Sequence, residues 1–363
     1  MIHIKSEDTS RILYIDILRV VSIFAVVVLH ISAPFAANMN ANSIKWWWVG
    51  NIADSATRWC VPVLIIISGR LMLYNDREEK ILSFLRKRLP KVVIPLIFWS
   101  FLYLLNMMRK GELGIQWNMS LIKLFLTNLY TGNVHIHLWY LYMLVGLYLI
   151  TPIIKPYVKN VKKENLIYFI TICFISNGII VFLEKFTVYK IGFNLSFFHW
   201  SLGYFILGFF LEKYAFSGNQ RKAIYFLGLV GLIVTVYGTY LLTRNNAGEL
   251  VEHLYSYLAP NVIFMSLMVY LLFKNINWNK AINSGSIISK MISSLNKTSF
   301  GIYLVHLLVL DIISSGDIGI VIKASSFNPV IGIPLVGIIT FLLSYLVVMI
   351  LQKIPLLNRV VPK

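Results

Sequence analysis

Three ionisable side chains, Asp16, Arg19 and His30, sit inside the apolar run Arg11–Pro34, RILYIDILRVVSIFAVVVLHISAP. Charge within a spanning helix is expensive, so such groups need partners or a wet cavity and mark functional paths. Arg19 and His30 are 11 positions apart. At about 100° and about 1.5 Å per residue, that spacing is three turns plus about 20° and roughly 16 Å, so both side chains share one helix face. A guanidinium suits phosphate. An imidazole, with an ordinary pKa of about 6.5, can take a hydroxyl proton and return it to a leaving thiolate. The extended pantetheine arm of an acyl-CoA matches the helix rise between the two. One face could therefore carry such a donor, with Arg19 at the nucleotide phosphates and His30 at the thioester or acceptor hydroxyl. The bland reading of the same residues pairs Arg19 with Asp16 at i, i+3 and leaves His30 as an interfacial polar group.

Other groups extend this pattern. Arg86, Lys87, Arg88 and Lys91 precede VVIPLIFW. They serve equally as a positive flank or, with Arg88 and Lys91 on one helical face beside Arg70 and Arg19, as a phosphate funnel. Asp54 and Arg58, at i and i+4, can neutralise each other within the bilayer, and Arg58 could also face His30. His306 ends the segment TSFGIYLVH in mid-span; a lone histidine there reads first as a satisfied core group. His135-Ile136-His137-Leu138-Trp139-Tyr140 has an H-x-H spacing without a neighbouring Cys or carboxylate to complete a zinc site. Substrate contact or interfacial anchoring by Trp139 and Tyr140 fits better. His199 and His253 carry no assignment. GxxxxGK[ST], GxSxG, HExxH and a dinucleotide glycine fingerprint are absent. His3 and Asp8 have an H-x4-D spacing but lie in a short tail without the soluble fold that motif requires.

The elements that must position these groups are helices. The 363 residues are 58% hydrophobic and 13% charged, about half the charge of a soluble domain. The expectation is an all-α polytopic membrane protein: a single transmembrane domain over 1–363, a short tail at 1–10 and no separate soluble domain. Cys60 and Cys173 lie in apolar segments, which argues against a structural disulfide. The first apolar segment is too long and too charged for a cleaved leader. Windows of about 20 apolar residues predict ten spans, near 12–33, 46–74, 90–108, 134–154, 165–183, 196–212, 222–243, 254–273, 297–315 and 329–352. The stretch 115–130 reads as an interfacial or re-entrant helix.

The net charge of +18 raises nucleic acid as a partner, but the cations lie in short alternating loops, not on a basic domain face, so none is expected. With both termini in the cytoplasm, 22 of the 33 Lys and Arg fall in cytoplasmic segments and 8 outside. The other three, Arg19, Arg58 and Arg70, are intramembrane or at a border. The positive-inside rule then selects that orientation, placing Arg19 towards the cytoplasm and His30 near the outer surface.

YIDILRVVSIFAVVVLH, ATRWCVPVLIIISGRLML, FLRKRLPKVVIPLIF, HLWYLYMLVGLYLITPII and SFGIYLVHLLVL, in this order along nearly the whole chain, resemble the acyltransferase 3 family of integral-membrane acyltransferases. Among its subgroups, the O-acetyltransferases of enterobacterial common antigen and related surface glycans look most similar. The resemblance implies a bacterial inner-membrane enzyme that moves an acyl group, most often acetyl from acetyl-CoA, to a hydroxyl of an extracytoplasmic, lipid-linked glycan. It implies no permanently bound cofactor. It carries the family's arginine and histidine onto Arg19 and His30. Its basic pair falls on Arg88 and Lys91, where Lys cannot reproduce a bidentate Arg contact with phosphate. Asp16, Asp54, Arg58 and His306 would support the site, and Arg70 would join the donor site. A transporter or flippase of a lipid-linked glycan is the alternative class, its path lined by the same charges. A different membrane acyltransferase architecture would place the active histidine in a late helix, which only His306 could supply.

Overall fold

The computed structural model describes residues 13–41, 43–76, 79–112, 119–179, 184–187, 199–283, 285–317 and 319–363. The tail at 1–10, with His3 and Asp8, lies outside them. Among the described residues there are thirteen helices of eight residues or more and no strand, only an isolated bridge between Asn38 and Glu249. In chain order they are α1 (Leu13–Ala36), α2 (Ile44–Thr57), α3 (Cys60–Leu73), α4 (Ile81–Arg88), α5 (Pro90–Arg109), α6 (Met119–Thr131) and α7 (Trp139–Asn160). There follow α8 (Lys163–Phe174), α9 (Trp200–Lys213), α10 (Gly218–Asn245), α11 (Pro260–Asn275), α12 (Ile287–Ser315) and α13 (Pro329–Leu351).

Among the described residues, eight helical segments are long and apolar enough to cross a membrane, with α2 running into α3 and α4 into α5. Outward-facing positions on them are apolar, for example Phe226, Leu229 and Ile233 on α10 and Ile331, Leu342 and Leu346 on α13. A chain with such faces all round is a multi-pass membrane protein. The predicted spans at 165–183 and 196–212 correspond to α8, continued by a π-turn at Ile175–Ile179, and to α9; each is shorter than those eight among the described residues.

Proline sets the breaks. Pro62 offers no N–H to the Arg58 carbonyl, and α2 gives way to α3 at Arg58–Trp59. Pro90 opens α5 for the same reason. The segment 115–130 contains α6, whose Met119, Ile122, Leu126 and Tyr130 form an exposed apolar stripe while Leu121 is buried. That pattern suits a helix lying in an interface. α12 begins ten residues before the predicted 297, capped by the Ser286 hydroxyl, which accepts from the Ser289 N–H.

The site depends on four helix packings. α1 packs against α12, α3 against α9, and α7 against α3 and α5. The α3–α9 contact is glycine-mediated: a Cβ on Gly69 would lie 1.8 Å from the Phe205 carbonyl oxygen, and one on Gly208 2.0 Å from that of Ile66. Backbone cannot yield as a flexible side chain does. Gly69→Ala is therefore expected to cost about 3 kcal/mol, the upper range for overpacking, and to lower the thermal midpoint of the purified protein in detergent.

Candidate active site

α1 and α12 run parallel, and they meet at both ends of the Arg19–His30 stripe. At one end the Arg19 guanidinium donates to Asn296 Oδ1 at 2.9 Å, and Asn296 Nδ2 donates to Asp16 Oδ1 at 2.7 Å. Asp16 and Arg19 are thus tied through a residue of α12. At the other end the rings of His30 and His306 are 5.2 Å apart. Arg19 and His30 share one helix face against one neighbour, as their spacing requires.

Around Arg19 lies a cavity of about 230 Å³. Four cations line it, Arg19, Lys91, Lys297 and Lys363, and no acidic side chain does so among the described residues. Lys363 arrives because the chain after α13 folds back. Trp99 Nε1 donates to the Val360 carbonyl at 2.8 Å, Gln352 Nε2 donates to that of Val361 at 3.1 Å, and Val361 is fully buried. Apart from the Asn296 amide, the remaining wall is apolar or hydroxyl-bearing, including Ser68, Tyr140, Tyr148 and Tyr303. Tyr140 and Tyr303 pack with ring centroids 5.2 Å apart.

Beyond Tyr303 lies a group of imidazoles. His137 is 5.3 Å from His306 and 6.5 Å from His30, ring to ring. His135 Nδ1 meets His137 Nδ1 at 2.9 Å, and His135 stacks on Tyr103 at 4.1 Å. Tyr303 Oη donates to the His137 carbonyl, fixing the loop before α7 against α12. Among the described residues no group of three or more His, Cys, Asp and Glu side chains is arranged to hold a metal ion.

Not every residue singled out from the sequence comes to this site. Arg70 pairs with Glu212 at 3.4 Å and lies over the Tyr74 ring; Glu212 also accepts from Tyr14 Oη at 2.6 Å and lies 3.6 Å from Lys274 Nζ. Arg88 pairs with Glu79 at 2.6 Å, lies over Phe84 and lines a second cavity of about 410 Å³ with Lys155 and Lys159. Lys91 alone of the basic run lines the Arg19 cavity. Hydrogen bonds from Lys87 and Arg88 hold the Glu79 carboxyl down to about 2. A depressed carboxyl keeps its ion pairs at neutral pH and loses them only as pH falls through that value. Asp54 and Arg58 pair at 2.6 Å, with Asp54 fully buried. Arg58 lies over the Tyr255 ring at 3.9 Å and within electrostatic range of His30. His199 Nδ1 is 2.7 Å from the Ser201 hydroxyl, and His253 packs beside Phe186, both apart from the imidazole group.

Four residues of the site escaped the sequence reading: Asn296, Lys297, Lys363 and, as a partner of His30, His137. For Asn296 a signal existed, since it precedes His306 by ten positions much as Arg19 precedes His30 by 11. For Lys363 and His137 none did, because chain reversals outside the helices bring them in.

Cations at one end of a helix pair and imidazoles at the other, inside a multi-pass helical membrane protein, are suited to carrying an anionic donor to a proton-transfer site. An acyltransferase-domain model matches residues 12–349, and the chain belongs to the acyltransferase 3 family of membrane acyltransferases. No curated protein and no solved structure matches the chain.

Proposed function

We propose that this acyltransferase takes an acetyl group from cytoplasmic acetyl-CoA and transfers it to a hydroxyl of an extracytoplasmic, lipid-linked surface glycan in the bacterial inner membrane. The observation that carries the reading is the cationic cavity around Arg19, lined among the described residues by no acidic side chain, with Tyr303 on its wall and the imidazole group on the other side of that ring. A CoA carries several phosphate charges on a thin, extended arm. Arg19, Lys91, Lys297 and Lys363 supply charge-assisted donors for the former. The apolar and tyrosine-lined interior accommodates the latter. Arg70 and Arg88, held by Glu212 and Glu79, act at a distance from the phosphates in this arrangement.

At the far end the acceptor oxygen attacks the thioester carbon. The O–C bond forms, the C–S bond breaks and the hydroxyl proton ends on sulfur. The His30 imidazole handles that proton. The orientation follows the loop cations, with the Arg19 end in the cytoplasm.

The donor site is tested by Lys297→Ala. Loss of one charge-assisted contact, about 1.5–3 kcal/mol, raises the KM for acetyl-CoA about tenfold or more and leaves the thermal midpoint unchanged. A KM equal to that of the wild type removes Lys297 from the donor site. A flippase carrying the same charges would release no thiol from acetyl-CoA at all.

A further inference from the structure

His306 has a fixed tautomer. Its Nδ1 lies 2.6 Å from the Tyr303 carbonyl oxygen one turn earlier on α12, and a carbonyl can only accept, so Nδ1 carries the proton. The neutral ring therefore presents a lone pair at Nε2. That atom is buried and has no hydrogen-bond partner, and the residue is fully inaccessible. A buried polar atom without a partner is costly, and a catalytic role is one of the reasons a native structure keeps one. The ring is flanked by His30 at 5.2 Å, His137 at 5.3 Å and Tyr303 at 5.9 Å. The backbone carbonyl orients the base and leaves its Nε2 without a hydrogen-bond partner beside the His30 and His137 rings. This is the arrangement that activates a hydroxyl nucleophile.

We propose that His306 is a second catalytic residue: its Nε2 takes the proton from the acceptor hydroxyl, while His30 serves the sulfur. The assignment rests on the acyl-CoA reading above and divides the work there. The hydroxyl oxygen attacks the thioester carbon as its proton moves to His306 Nε2. As the C–S bond breaks, His30 gives its N–H proton to the thiolate and receives the proton held by His306. Both rings end neutral, and the products are the ester and the free thiol. Two adjacent imidazoles spare one ring from reaching both the incoming oxygen and the departing sulfur.

An acceptor that needs no base separates this role from a packing role. Purified protein in liposomes is given acetyl-CoA with either a lipid extract of the native membrane, as hydroxyl acceptor, or hydroxylamine, which attacks a thioester while neutral. Thiol release is followed in both. His306→Ala is expected to lower transfer to the extract by about 10²-fold or more, the usual range for a general base, and transfer to hydroxylamine by less than about threefold. His306→Gln, which keeps the volume and the polarity but cannot take a proton, is expected to behave alike. His30→Ala loses both reactions. Equal loss with the two acceptors in the Gln variant, or full transfer to the extract, overturns the role of His306. A wild-type protein that releases thiol with neither acceptor overturns the donor reading instead.

Discussion

His30→Ala lowers acetyl transfer to the hydroxyl acceptor by at least about 10²-fold, and by up to about 10⁴-fold where no other group replaces it. The protein still inserts and folds, because His30 is half-buried and touches its neighbours through ring contacts with His137 and His306 rather than through any hydrogen bond that holds a helix. Binding of acetyl-CoA survives as well, since the four cations lie about three helical turns away at the other end of the stripe. The expected signature is a kcat loss with an unchanged KM for acetyl-CoA, the pattern for an interaction made in the transition state and not in the ground state. Conversely, Arg19→Lys raises KM. Its planar fork bonds Asn296 while facing the cavity, and a lysine cannot do both. Equal effects of the two substitutions on kcat and KM would mean that the stripe is not divided into a donor end and a reacting end.

The second large effect is structural. Asp54→Ala leaves Arg58 charged and largely buried at the α2–α3 break, over the Tyr255 ring and without its paired carboxylate. Removing one partner of a buried pair costs about 3–5 kcal/mol. That is a large part of the stability of most proteins. The expected outcome is a sharp fall in the amount of monodisperse protein recovered in detergent. The double variant Asp54→Ala with Arg58→Met recovers much of it, because no uncompensated charge remains. If the double variant is no better than the single one, Asp54 acts through something other than its charge on Arg58.

Helices and their order were legible because an apolar run of about 20 residues has few alternatives in a bilayer. The starts were less so. The first turns of α12 are Ser- and Lys-rich, so a hydropathy window passes over them, yet these residues carry Asn296 and Lys297. Gly69 and Gly208 look like ordinary span residues until the backbone of the facing helix is placed on them. That Arg19 and His30 share one helix face was legible from helical periodicity, while their proposed roles came from the family resemblance. Arg70 and Arg88 show the limit of reading charge by position, since their counter-ions decide where they point. Glu212 comes from α9, 142 residues beyond Arg70. Glu79 sits nine residues before Arg88 but across a chain bend. His135, His137 and His306 each looked unremarkable singly, and they acquire meaning only when the loop before α7 is folded against α12.

The most direct measurement is acetyl transfer from labelled acetyl-CoA by the purified protein reconstituted in liposomes with a lipid extract of the native membrane. The prediction is equimolar thiol release and label in the glycan lipid, with both lost in His30→Ala. Thiol release and labelling that persist undiminished in His30→Ala, or a wild-type protein that neither binds CoA nor consumes acetyl-CoA, would contradict the account.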